Sequence, residues 1–454
     1  MRSLICCFAL AGCLPGALRA QDSPAEFFSV PKADAPQLAP RGSYAVGVRT
    51  LDLVHAGQID ILNFNKDTGK APTYDRPLKV EVWYPAEANG AKQRVVYPSA
   101  MPGTAPRVTG PKGFDIFGNA ARDAAPVKGQ SFPLVIVSHG YPGSRYFLTY
   151  LTENLASKGY VVAAIDHTDS VFGDVRAFTS TLLNRSNDQL FVLTSIEKLA
   201  KSRDNFLFGL LQENNAAIIG YSMGGYGALI SAGAGLSAAS SLNKFVPGNY
   251  LADWNRDGAQ FKALRRGSLK AIVAIAPWGE QPPYNAWDPE SLAAIKAPSL
   301  FIVGDHDDVA GYENGPKRAM ELAINSDRCL LVYENARHNT GGNPPPGNVP
   351  LDYRTLQSFD EPVWRKDRIN AINQHFITAF LDLNLKGDKT RRAFLQVPTV
   401  HSNDGQWPAA PNTADEGAFS AGKDEAGNVF WPGFQRRWAL GLEMSCHGAG
   451  QPAQ

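Results

Sequence analysis

Ala216-Ala217-Ile218-Ile219-Gly220-Tyr221-Ser222-Met223-Gly224-Gly225 is the stretch that decides the fold. Four apolar residues form a short strand, and Tyr226-Gly227-Ala228-Leu229-Ile230 behind the glycines has helical composition. A serine between two glycines, at the turn from a strand into a helix, has the context of a nucleophile elbow. Small neighbours let strand and helix close around a strained, exposed hydroxyl. Outside that context GxSxG is a frequent chance pattern, and a Gly-rich helix start would explain it.

Apolar runs of the same kind recur on either side, at Pro133–Ser138, Val161–Ile165, Ala271–Ala276, Leu300–Val303 and Leu330–Tyr333. Continuous runs, rather than alternating ones, fit strands buried on both faces of a parallel sheet. Helical stretches lie between or beside them at Tyr146–Ser157, Asp188–Ala200, Gly224–Ala234 and Pro316–Ala323. Strand–helix alternation implies an α/β fold, a mostly parallel central sheet with helices on both faces. Pro77–Tyr84 alternates apolar and polar residues and reads as an earlier strand. Residues 98–130 are rich in Gly and Pro and read as loop. The segment 236–268 interrupts the alternation and is a candidate cap over the active-site end. The organisation expected is a leader at 1–20, an N-terminal lead-in at 21–75, a catalytic domain at 76–385 and a C-terminal extension at 386–454.

A serine hydroxyl of ordinary acidity needs a base, and the base an orienting acid. In this fold class acid and histidine follow the serine in that order, each in a loop after a late strand. Leu300–Val303 leads into Gly304-Asp305-His306-Asp307-Asp308, and Leu330–Tyr333 leads into Glu334-Asn335-Ala336-Arg337-His338. Asp305 is close to the strand end, and Asp308 precedes the turn at Val309-Ala310. Asp307 has the room to turn back toward His338. His375 sits among Ile369, Ile372 and Phe376 on a helix and reads as a packed or surface residue. His306 is too near the acids to serve as base. Two backbone donors for a developing oxyanion are expected, each contributing roughly 3–4 kcal/mol. They are the N–H groups of Met223 and of Tyr141, in Ser138-His139-Gly140-Tyr141-Pro142-Gly143. Pro142 has no N–H to offer, and His139 reads as a brace for this turn.

HGYPG, AIDHTDS at 164–170, GYSMGG and GDHDD, with the late His338, resemble bacterial α/β-hydrolases related to platelet-activating-factor acetylhydrolase. They are also similar to the predicted dienelactone-hydrolase group and to cutinases and polyester hydrolases. VEVWYPA at 80–86 resembles the opening strand of the acetylhydrolase-like members. The resemblance spans residues 76–385 and implies a serine esterase with nucleophile Ser222, acid Asp307 and base His338. Trp278 matches a tryptophan that lines the acyl site in polyester hydrolases, so Trp278 and Tyr141 are the expected substrate-binding side chains. A core or lid tryptophan is the alternative for Trp278. Gly311 stands where polyester hydrolases keep a proline, and 236–268 is longer than a cutinase carries. Dienelactone hydrolases proper use cysteine at the elbow, where this chain has serine. An amide- or peptide-cleaving hydrolase and a non-catalytic binding protein on the same fold are the competing functions.

The 454 residues carry 44 basic and 43 acidic side chains, net +1, so neither nucleic acid nor an anionic membrane is implied as partner. The expected partner is a small or polymeric ester, and no metal or organic cofactor is required. Arg2 and the apolar run Leu4–Leu14 have signal-peptide character, with Leu18-Arg19-Ala20 before a cleavage point. Secretion or periplasmic export is expected; Leu10-Ala11-Gly12-Cys13 offers the alternative of a lipid anchor on Cys13. Cys329 and Cys446 are the cysteines outside this leader. In an oxidising compartment they can form one bridge, the alternative being two free thiols.

Overall fold

The computed structural model describes residues 31–87, 95–102, 113–264, 268–347, 351–406, 417–423 and 427–452. The leader at 1–20, with Cys13, lies outside the described residues.

Ten strands make one sheet: β1 (Ala45–Ile59), β2 (Thr73–Ala86), β3 (Ala121–Arg122), β4 (Phe132–Ser138), β5 (Val161–Asp166), β6 (Leu211–Tyr221), β7 (Leu269–Ile275), β8 (Ser299–Gly304), β9 (Arg328–Tyr333) and β10 (Leu442–His447). Their spatial order is β10-β9-β8-β7-β6-β4-β5-β2-β1-β3. The six central strands, β5 to β9 with β4 among them, run parallel. β2 pairs antiparallel with β5, β1 with β2, and β10 with β9.

Four helices cover the faces: α1 (Thr149–Ser157), α2 (Phe178–Leu199), α3 (Met223–Ala232) and α4 (Lys366–Leu385). Alternate strand residues serve opposite cores, as the two-residue period demands. Leu134 and Ile136 pack in one core with Leu182, Leu190 and Tyr226 of α2 and α3. Val135 and Val137 pack in the other with Leu151, Leu155, Ile372 and Phe376 of α1 and α4. This double coverage is why β4, β8 and β9 are buried along their whole length and read as unbroken apolar runs. The sheet and its two helical layers form an α/β-hydrolase fold. From β4 the chain first crosses outward to β5, then returns over β4 to β6. The carboxyl ends of β4 and β6 therefore flank the point where strand order reverses, the place where open α/β sheets bind ligands.

Several expectations need correction. The stretch 21–75 is more than a lead-in, because β1 occupies 45–59 and the boundary at 76 falls inside β2. Much of β1 alternates half-buried and exposed residues, so it has no apolar run to detect. Residues 98–130 contain β3, all of Gly113–Phe117 and the end of its antiparallel partner Val96–Ala100. The extension 386–454, whose role the sequence left open, returns to the sheet as β10, and the expected bridge of Cys446 to Cys329, its partner in register, is present (Cα–Cα 4.1 Å). α2 starts ten residues before the expected Asp188, because burial of Leu182 and Leu183 overrides the weak helix preference of its Ser, Thr and Asn. In 236–268, Leu242, Leu251, Trp254 and Phe261 pack into the α2–α3 core, while Phe245 reaches Tyr284 with ring centres 6.0 Å apart.

Candidate active site

Ser222 stands between β6 and α3 at φ 53° and ψ −114°. A serine in this region stores backbone strain that only its surroundings can hold. Its N–H donates to the Ile275 carbonyl at 2.8 Å, and its own carbonyl accepts from Trp278 N–H at 3.2 Å and Tyr226 N–H at 3.0 Å. The flanking glycines are sterically required. A Cβ on Gly220 would lie 2.1 Å from the Gly224 carbonyl oxygen, and one on Gly224 would lie 2.0 Å from that of Ser138.

The loop after β8 supplies Asp307 and the loop after β9 supplies His338. Both Asp307 carboxylate oxygens lie within reach of His338 Nδ1, at 2.8 and 3.0 Å, and His338 Nε2 is 3.0 Å from Ser222 Oγ. Asp307 also accepts the N–H groups of Val309 (2.9 Å) and Ala310 (2.7 Å), which fixes the carboxylate independently of the histidine. The Asp307 side chain is buried, and His338 keeps 12% of its side chain exposed. The neighbouring acids are engaged elsewhere. Asp305 accepts Asn335 N–H at 2.6 Å and lies 2.7 Å from His306, while Asp308 pairs with Arg337.

Three supports of the histidine loop carry no sequence signal. Glu361 accepts both amides flanking His338, from Arg337 at 2.7 Å and from Asn339 at 2.6 Å. Lys366 donates its ammonium to the Asn339 carbonyl. Burial holds the Lys366 amine down to about 8 and raises the Glu361 carboxyl. Tyr221, in the elbow itself, donates its hydroxyl to the His338 carbonyl at 3.2 Å. Burial and the charges of Asp307 and Glu361 keep that phenol well above its usual range, so it stays a donor.

Met223 opens α3, where helical N–H groups have no intrahelical acceptor. The HGYPG turn after β4 closes on the elbow, a Cβ on Gly140 being 3.2 Å from Ser222 Cβ. Tyr141 packs its ring on Phe178 at 5.0 Å and donates its hydroxyl to the Arg176 carbonyl. Trp278 is 9% exposed, edge-on to Phe178 at 5.1 Å and against Tyr284 at 4.5 Å. His375 is packed in α4, its Nδ1 accepting Leu38 N–H at 3.1 Å. Among the described residues, Glu334, His401 and Glu443 could hold a cation, with ligand atoms within 4.8 Å of one another.

The family described as platelet-activating factor acetylhydrolase, isoform II, matches residues 75–205. The chain is 23% identical over 214 residues to cutinase est1 of Thermobifida alba, and 24% identical over 214 residues to cutinase est2 of the same organism. Each match covers 47% of this chain and 55% of the relative, so the chain spans about half the length of the curated relatives it matches. A ferulic acid esterase from Streptomyces cinnamoneus superposes with TM-score 0.49 at 21% identity, covering 78% of this chain and 94% of that one. The resemblance expected from the motifs, to acetylhydrolase-like and cutinase-like α/β-hydrolases, is thus found in the family match and in the curated relatives alike.

Proposed function

We propose that this α/β-hydrolase, similar to cutinases and to the acetylhydrolase family, is an exported serine hydrolase of carboxylic esters with Ser222, His338 and Asp307 as its triad. The observation that carries the reading is the continuous hydrogen-bond chain from Ser222 Oγ through His338 to Asp307. It begins at a strained elbow beside the helix-start N–H of Met223. Ser222 Oγ adds to the ester carbonyl carbon while its proton passes to His338 Nε2, and the carbonyl oxygen takes the negative charge. The N–H groups of Met223 and Tyr141 receive that oxyanion. Collapse expels the alcohol, which takes the proton from His338 and leaves an acyl-serine. Water then repeats both steps, releasing the acid and restoring the serine. Asp307 holds the tautomer and balances the imidazolium.

The apolar leader and the Cys329–Cys446 bond support export into an oxidising compartment. Cleavage after Ala20, or lipidation at Cys13, decides between free and anchored forms. No helix among the described residues is long and apolar enough to cross a membrane. Tyr141 and Trp278 are the side chains proposed to line the acyl site in this reading. Turnover of p-nitrophenyl esters of graded chain length, against the matching p-nitroanilides, tests the proposal. Ester cleavage at least a hundredfold faster than anilide cleavage is expected; the reverse order would make the chain an amidase.

A further inference from the structure

Arg185 projects from α2 into the interior and is 1% exposed. Its guanidinium donates to backbone carbonyls: Nη1 to His139 at 2.7 Å and Nη2 to Gly140 at 3.3 Å, with Ser170 Oγ accepting from Nη2 at 2.8 Å. A buried cation that spends its donors on carbonyl oxygens is costly to desolvate. Burial holds this guanidinium down to about 9, with Arg76 lowering it further against the opposing charge of Asp188.

The Gly140 carbonyl is held twice, because His139 Nδ1 also lies 2.7 Å from it. His139 Nε2 accepts His167 N–H at 3.3 Å. Burial keeps His139 neutral, so its single N–H must sit on Nδ1 and donate to Gly140. His167 is locked in turn, with Nδ1 on Asp188 at 2.9 Å and Nε2 on Ser138 Oγ at 2.8 Å. Asp188 is clamped by Arg76 at 2.9 and 3.1 Å. The result is a buried Ser138–His167–Asp188–Arg76 string behind the HGYPG turn. Ser138, His167 and Asp188 are each at most 1% exposed, which leaves the string no route to substrate.

The Gly140–Tyr141 peptide is trans, so the Gly140 C=O and the Tyr141 N–H point in opposite directions across one rigid plane. Gripping the carbonyl on the α2 side therefore aims the N–H to the other side. Gly140 also faces Ser222, since a Cβ on it would lie 3.2 Å from Ser222 Cβ. We infer that Arg185, with His139, is a positioning residue that aims the Tyr141 N–H at the oxyanion formed on Ser222 and polarises that peptide as a donor. This rests on the ester-hydrolase reading. It gives α2 a role that its sequence did not signal.

The test uses the full chain, p-nitrophenyl acetate and phenylboronic acid. The boronic acid forms a tetrahedral serine adduct whose anionic oxygen occupies the oxyanion position. Active sites are counted with a fluorophosphonate probe, and kcat is expressed per labelled site. Arg185→Gln is expected to lower kcat by about 10²–10³-fold, the effect of losing one oxyanion donor. KM should stay within about threefold, and boronate affinity should weaken by the same factor as kcat. Arg185→Lys, which keeps the cation but reaches one carbonyl, should fall between. Should Arg185→Gln fail to fold, Ser170→Ala removes one anchor of the guanidinium and should show the same paired loss at about three- to tenfold. If kcat per labelled site and boronate affinity stay within threefold of wild type in the variants that fold, the inference is overturned. A loss of labelled sites alone, with kcat per site unchanged, overturns it as well. A wild-type chain that neither cleaves the ester nor takes the probe would instead overturn the ester-hydrolase reading, and this inference with it.

Discussion

Ser222 is the residue whose backbone pays for the site. Its φ of 53° is held by hydrogen bonds to Ile275, Tyr226 and Trp278. Ser222→Ala deletes one oxygen and none of those bonds. It should fold normally and lose on the order of 10⁴–10⁶ in kcat; circular dichroism and ester turnover measure both. Among the three acids after β8, Asp307→Asn should lose on the order of 10⁴ in kcat by disturbing the histidine tautomer. Asp305→Asn and Asp308→Asn should keep at least a tenth of activity, since their partners are Asn335, His306 and Arg337. A crippled Asp305→Asn or Asp308→Asn on the same activated ester would reassign the acid. That Ser222, Asp307 and His338 come together was legible because each follows an apolar run, in an order the fold class dictates. Glu361, Lys366 and Arg185 were not, because they act on backbone amides and carbonyls, and such contacts leave no motif.

At the scale of elements, the elbow depends on how closely three backbones approach. A Cβ on Gly224 would meet the Ser138 carbonyl at 2.0 Å, and a strand backbone cannot move aside cheaply. Gly224→Ala should cost about 3 kcal/mol or more by overpacking. Gly347→Ala, with nothing within 4 Å, should be near neutral; urea midpoints compare the two. The far edge of the sheet relies on a covalent tie instead. Cys329 and Cys446 are neighbours in the β9–β10 ladder but 117 residues apart in sequence. Replacing both by alanine should lower stability by roughly 3–5 kcal/mol on the chain-entropy account. Midpoints unchanged after replacement would show that β10 is held by its ladder alone. The central strands were readable from their continuous apolar runs, whereas β1 and β10 were not. β1 has one half-wet face, and β10 joins the sheet through a partner far away in sequence.

Across the whole molecule, the N-terminal residues 33–38 meet the late segment 433–435 beside α4. Gln37 N–H donates to the Gly433 carbonyl, Gln435 to those of Ala33 and Ala35, and Leu38 N–H to His375. Burial, reinforced by Lys158 and Arg391, holds His375 down to about 3, and burial holds His167 at about 3 as well. An unfolded histidine binds its proton near 6.5. Between about pH 6.5 and 3 the unfolded chain thus carries more protons, and stability falls as pH falls through that window. His375→Gln keeps an acceptor for Leu38 without a titrating site, and its urea midpoint should fall less steeply from pH 7 to 4 than that of wild type. Equal slopes would remove His375 from the acid response. The claim on which the rest depends is that Ser222 is an activated nucleophile. Its most direct measurement is reaction of the full chain with a fluorophosphonate, followed by intact mass and peptide mapping. One adduct per chain, on the peptide containing Ser222 and absent in Ser222→Ala and in heat-unfolded protein, is the predicted result. An unlabelled native chain, or an adduct on another residue, would contradict it.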